Sequence, residues 1–208
     1  ERQRLFDAVK GWDHYDTKLL SKGGRIYNRS EKTLELTPEI KARFDIDKDK
    51  VAPNDLIKAM LKSRTDLLWF GGIGTYIKAT KQSHADVGDK ANDGLRVDAT
   101  ELRAKVIGEG ANLATTQLAR VEFAERGGKL NTDFLDNSGG VNSSDLEVNI
   151  KILMADIMND KAISMDLAAR NKLLESMTED VSILVLRNNY QQAQAISLAE
   201  IQAREQLA

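Results

Sequence analysis

The chain contains no cysteine among its 208 residues. That excludes a disulfide framework and any thiolate metal site, and it fits a cytoplasmic location. Histidine is nearly absent too: His14 and His84 are too few for a His-rich metal site. Each lies near acids, His14 by Asp13 and Asp16, His84 by Asp86 and Asp89, but a metal needs more ligands in a defined geometry. Loop hydrogen bonding is the better expectation for both, and no metal is expected. Charge of one sign is missing. The net charge of −2 gives no bulk field to draw the chain onto nucleic acid or an acidic membrane. No apolar run is long enough to span a bilayer, and residues 1–10 are charged where a signal peptide would be apolar. Neither a nucleic-acid nor a membrane partner is therefore expected. The two prolines, Pro38 and Pro53, both sit where helices begin.

What is present reads as α/β. Thr37-Pro38-Glu39 combines a threonine cap, proline at the first helical position and an acid in the first turn. Pro53 opens a second helix, carrying Leu56, Ile57, Met60 and Leu61 at helical spacing and closing near Ser63. Residues 66–70 form a short apolar run that ends at Gly71-Gly72, the signature of a buried parallel strand. Residues 80–97 have no clear period and read as a loop. Asp98 and Glu101 have capping-box spacing. Residues 23–27 read as a turn followed by a short strand, and further strands are expected at residues 105–108 and 130–135. A helix capped by Thr115 or Thr116 is expected to stop at Gly127-Gly128. Ser144 and Glu147 have the spacing of a second capping box, opening a helix to about Met158. Beyond it the composition turns rich in Ala, Leu, Gln and Glu, with helices over 166–177 and 178–206. The expected organisation is a Rossmann-like cofactor domain at 1–158, holding part of a parallel sheet, and a helical tail at 159–208. Tail residues such as Leu167, Leu174, Val181, Leu184 and Val185 need a surface to cover them.

Three turns invite a functional reading. Gly71-Gly72-Ile73-Gly74-Thr75 follows a strand but fails the Gly-x-Gly-x-x-Gly fingerprint, because from Gly72 the third glycine position is Ile77 and no helix start follows. It reads as a tight turn whose glycines leave room for a ligand. Glu109-Gly110-Ala111-Asn112 puts small residues at a strand end, where Asn112 could donate and accept in one contact. The plain alternative is a strand-to-helix turn with Asn112 in a left-handed conformation. Asn137-Ser138-Gly139-Gly140-Val141 leads to a helix whose N-terminus favours a carboxylate or phosphate. Alternatively, Ser143 or Ser144 simply caps it. Ligands of open α/β sheets bind in such turns, outside the carboxyl ends of the strands.

These strings, with Leu20-Ser21-Lys22-Gly23-Gly24, Asp66 through Tyr76, His84 through Asp93, and Asn131 through Lys151, resemble NAD-dependent glutamate dehydrogenase of the large bacterial class. The resemblance implies oxidation of L-glutamate with NAD and water to 2-oxoglutarate, ammonia and NADH. It places Asn112, Asn137, Gly71 and Gly72 by the cofactor. Gly140, Val141 and Ser144 fall on the substrate side, Ser144 holding the distal carboxylate and Val141 lining the side chain. Departures are Ala114, where many relatives have proline, and a longer connection over 78–97. No phosphate fingerprint and no catalytic lysine region are present, so no catalytic residue is assigned within the chain. Those parts are expected upstream of Glu1, in the remainder of a longer, homo-oligomeric polypeptide. The chain alone is expected to be inactive. The rival reading is a non-catalytic α/β binding or interaction domain with the tail as its partner surface.

Overall fold

Local chemistry places the first helices. The computed structural model describes residues 1–160, 162–163 and 165–207. The chain divides into two compact units: residues 1–108 with 113–130, and residues 109–112 with 131–208.

In the first unit, α1 (Arg2–Asp7) is followed by irregular chain and then by a two-residue strand, β1 (Leu34–Glu35). The short strand expected within residues 23–27 is absent: a turn is present at residues 22–23, and the chain after it is irregular. β1 pairs antiparallel with β2 (Lys50–Val51), and α2 (Pro38–Phe44) lies between them in sequence. Thr37 caps α2 as expected, its hydroxyl accepting from Ile40 N–H at 3.3 Å. α3 (Pro53–Leu61) begins at its proline and closes at Lys62. Leu34, Val51 and Leu56 form a small core, with Ile40, Phe44 and Ile46 packed against it.

The sheet begins with β3 (Thr65–Phe70). β4 (Ile77–Lys78) and β5 (Val97–Asp98) pair in parallel, and Lys78 faces Asp98 across the pair, where they form an ion pair. Between them, residues 80–97 are not the featureless loop that their missing period suggests. They hold α4 (His84–Val87), with Ser83 and Asp86 in a reciprocal capping box, and a 3-10 turn at Lys90–Asn92. Local caps specify these short turns without any apolar periodicity. Asp98 and Glu101 do form the expected box, but it opens only a 3-10 turn over Ala99–Glu101.

β6 (Ala104–Glu109), α5 (Gln117–Glu125) and β7 (Lys129–Leu130) follow. The strand order is β3-β6-β7. β6 and β7 run parallel, with Val106 opposite Lys129 and Ile107 opposite Leu130. Thr116 caps α5, accepting from Ala119 N–H at 3.2 Å. Ile77, Val97, Ile107, Ala114, Ala119 and Phe123 lie in one buried core. β3 departs from the buried strand expected of it. Leu67 and Trp69 are 52% and 57% exposed while Phe70 is buried, so only one face of this edge strand is covered within the unit. Trp69 lies over the neighbouring strand at Gly108, where a Cβ would come within 2.4 Å of the indole.

In the second unit, the strand expected over residues 130–135 stops at Leu130. Thr132 stands instead at the N-cap of α6 (Asp133–Asp136), without a side-chain cap bond, and the acids Asp133 and Asp136 suit the positive end of this short helix. α7 (Ser138–Asn159) follows Asn137 directly. Ser144 therefore lies within α7, and the capping box expected at Ser144 and Glu147 does not exist. α8 (Leu167–Ser176) is capped by Asp166, and α9 (Thr178–Leu207) closes the chain. α9 packs on α6, α7 and α8, with Met154 and Val185 buried. Ile183, Leu184, Leu186, Tyr190 and Ile196 on α9 remain exposed. The architecture is thus α/β with parallel strands, followed by a helical C-terminal segment. None of its described helices is long and apolar enough to cross a membrane.

Candidate functional site

Asn112 and Asn137 meet. The Asn137 side-chain N–H donates to the Asn112 side-chain carbonyl. Each amide has one donor group and one acceptor group. Their mutual bond therefore leaves the Asn112 nitrogen and the Asn137 oxygen available to a third group. The residue in the left-handed conformation here is Leu113, at φ 65°, and not Asn112. A left-handed backbone on an exposed leucine is uncommon and costs on the order of 1 kcal/mol or more.

The segments that carry the two asparagines are held by hydrogen bonds from Asp136 and Asn189, both half-buried. Glu109 is fully buried, and its main-chain N–H donates to Asp136 Oδ2 at 2.9 Å. The other oxygen of Asp136 accepts from Asn131 Nδ2 at 3.1 Å. One carboxylate thus ties the end of β6 to the segment that precedes Asn137. From the far side, Asn189 of α9 donates to Leu135 O at 3.0 Å and to Ser138 Oγ at 2.8 Å. Asn189, within the amide-rich stretch at 188–192, thus braces the α6–α7 junction in a helix–helix contact. The local spacing of the stretch carries no signal of this, because both partners lie more than 50 residues earlier.

Gly140, Val141 and Ser144 lie on the first turns of α7, and their spacing of three and four residues puts them on one face. All three are exposed. Ser143 does not cap a helix; its hydroxyl donates to Gly139 O at 2.7 Å, one turn back. Glycine is a weaker helix former than alanine. Here neither glycine of the pair is required by packing: a Cβ on Gly139 or Gly140 would meet nothing within 4 Å.

Gly71 and Gly72 belong to the first unit. They are exposed, and a Cβ on Gly72 would likewise meet open space. The turn borders a largely apolar cavity of about 470 Å³, lined in part by Ile57, Met60, Leu68, Phe70 and Tyr76, with Arg29 and Arg43 contributing charge. Behind the turn lies a polar cluster that the sequence did not reveal. Arg96 is buried, with Asp89, Asp93 and His84 around it. The carboxyl of Asp89 is held below the usual carboxylate range, chiefly by the Thr75 N–H it accepts and next by Asn92. The two histidines take part in such hydrogen bonding: His84 Nδ1 lies 2.9 Å from Arg96 Nη1, and His14 Nδ1 lies 3.0 Å from Asp13. Among the described residues, no group of three or more His, Cys, Asp or Glu side chains is arranged to hold a metal ion.

Comparison with known proteins gives a consistent answer. Residues 1–199 match the family model described as "Bacterial NAD-glutamate dehydrogenase, catalytic domain". The chain is 60% identical over 209 residues to an NAD-specific glutamate dehydrogenase of Pseudomonas aeruginosa, the match covering all of this chain. It is 52% identical to one of Halomonas elongata, over 99% of this chain, and 49% identical to one of Mycobacterium tuberculosis, over 92%. It spans only 12–13% of the length of these relatives.

Proposed function

Because the chain belongs to the catalytic-domain family of bacterial NAD-glutamate dehydrogenases, we propose that it supplies cofactor and substrate contacts within a longer NAD-dependent L-glutamate dehydrogenase. The reaction is L-glutamate, NAD and water to 2-oxoglutarate, ammonia and NADH. NAD bound to the whole enzyme supplies the hydride acceptor for oxidation at the glutamate α-carbon.

The observation that carries this reading is the Asn112–Asn137 pair. Its two unused groups, one donor and one acceptor, complement the acceptor and donor of a carboxamide, the group that distinguishes the nicotinamide end of the cofactor. The Asp136 and Asn189 bonds hold the chain on which both asparagines sit, which lowers the ordering entropy lost when they engage a ligand. On α7, Gly140 leaves room for close approach, and Val141 offers methyl groups to the carbon chain of glutamate. Ser144 donates its hydroxyl to the distal carboxylate, a hydrogen bond strengthened by the charge of its acceptor. Gly71 and Gly72 provide a further backbone contact with the cofactor. The uncovered apolar side chains of α9 and of β3 pack against the remainder of the polypeptide or a second subunit.

In this reading the groups that transfer protons lie outside these 208 residues, and the chain by itself does not turn over glutamate. The test is Asn137→Ala in the full-length enzyme. The KM for NAD should rise about ten-fold, the scale of one hydrogen bond with a polar ligand group, with the KM for glutamate much less affected. An unchanged NAD KM in a folded variant refutes the assignment.

A further inference from the structure

The proposed cofactor contact at Gly71-Gly72 rests on a clamp outside the turn itself. Thr75, which ends the turn, is buried, and side chains from the 89–96 segment take both of its main-chain groups. Its N–H donates to Asp89 Oδ2 at 2.8 Å. Its carbonyl accepts from Arg96 Nε at 2.9 Å. The guanidinium of Arg96 is wholly buried and its donors are spread over four partners. Besides Thr75 O, these are Asp93 Oδ1 at 2.6 Å, the Asp89 carbonyl at 2.5 Å and His84 Nδ1 at 2.9 Å. Only a planar fork with donors in fixed directions can serve four acceptors at once; a lysine ammonium cannot.

Asn92 completes the clamp. It donates to the same Asp89 oxygen at 2.7 Å and stands where a Cβ on Gly74 would fall, 2.8 Å away. Gly74 has φ 142°, a conformation other residues rarely adopt, so the clamp and the glycine require each other. At the base of the turn, Phe70 and Tyr76 stack with centroids 5.7 Å apart. The root of the turn is fixed, while Gly71, Gly72 and Ile73 stand exposed.

We infer that Arg96, with Asp89 and Asn92, is a positioning residue that holds the Gly71–Thr75 turn in the conformation the dinucleotide meets. This rests on the reading of Gly71 and Gly72 as cofactor contacts. The segment between β4 and β5 therefore acts on cofactor affinity without touching the cofactor.

The test uses the full-length enzyme with three variants: Arg96→Lys, the milder Asn92→Ala and Gly72→Ala. Amide hydrogen exchange at Gly74 and Thr75 is read alongside the KM values for NAD and glutamate. Arg96→Lys is expected to speed exchange at those amides and to raise the NAD KM by about ten-fold, with the glutamate KM within about two-fold. Asn92→Ala should move the same quantities in the same direction by less, and it decides the matter if Arg96→Lys does not fold. Unchanged exchange overturns the inference. So does an equal rise in both KM values, which is what a merely structural residue gives. Gly72→Ala separates the two levels, because its Cβ has room in the protein. If it raises the NAD KM while the clamp variants do not, the inference alone fails. If it leaves the NAD KM unmoved, the cofactor reading of the turn is wrong and the inference falls with it.

Discussion

Replacing Ser144 with alanine separates substrate binding from folding unusually well, because of where the serine sits. Ser144 lies well inside the 22-residue helix α7 and is exposed. It caps nothing, so the mutation removes no helix-terminal hydrogen bond. Alanine is the better helix former, so stability should hold or rise, by at most about 0.5 kcal/mol. The functional effect has the opposite sign. A hydroxyl donating to a carboxylate contributes about 1.5–3 kcal/mol. Its loss lowers kcat/KM for glutamate by roughly ten- to hundred-fold, since each 1.36 kcal/mol is a factor of ten. The NAD KM should change little. The assay is steady-state kinetics of the full-length enzyme with glutamate varied at saturating NAD, beside thermal unfolding of the same preparation. Glutamate kinetics within two-fold of the parent, at an unchanged or higher Tm, would refute the assignment of Ser144 to the distal carboxylate.

Three further outcomes are expected. Asn189→Ala removes two hydrogen bonds that brace the α6–α7 junction, and should cost about 1–3 kcal/mol in denaturant unfolding; a smaller loss would mean the brace is dispensable. Asp89 has a folded-state pKa lowered from its usual value of 3.8, chiefly by the Thr75 N–H. Its contribution to holding the Gly71–Thr75 turn is therefore fully present above that value and is lost as pH falls below it. Exchange protection at Thr75, measured down a series of acidic pH values, should decline only there, whereas loss beginning near neutrality would point to another group. The isolated 208-residue chain should not bind NAD tightly, because it carries no glycine-rich loop to cradle the phosphates; calorimetry giving a micromolar Kd would contradict this.

Helix starts were legible because their chemistry is local. Thr37-Pro38 and Thr116 cap helices through bonds that reach only three residues. The run over residues 66–70 revealed a strand but not its exposure, since burial of Leu67 and Trp69 depends on what covers that face. Gly139-Gly140 reads as a turn because glycine disfavours helices, yet α7 begins at Ser138, where Asn189 from a distant helix donates to Ser138 Oγ. Asn112 and Asn137 stood out as site residues through their motifs, and the structure brings them into contact. What holds the segments that carry them was hidden: Asp136 and Asn189 act through partners 27 and 51 residues away. Arg96 was hidden for the same reason, its bond to Thr75 spanning 21 residues of a segment without periodicity.

The central claim is that the Asn112–Asn137 amide pair receives the nicotinamide end of the cofactor. A structure of the full-length enzyme with NAD and 2-oxoglutarate bound tests it most directly. The account predicts the carboxamide within hydrogen-bonding distance, about 2.7–3.2 Å, of the Asn112 nitrogen or the Asn137 oxygen. It also predicts a substrate carboxylate on the Ser144 hydroxyl. A cofactor seated with its nicotinamide away from both asparagines would contradict the account.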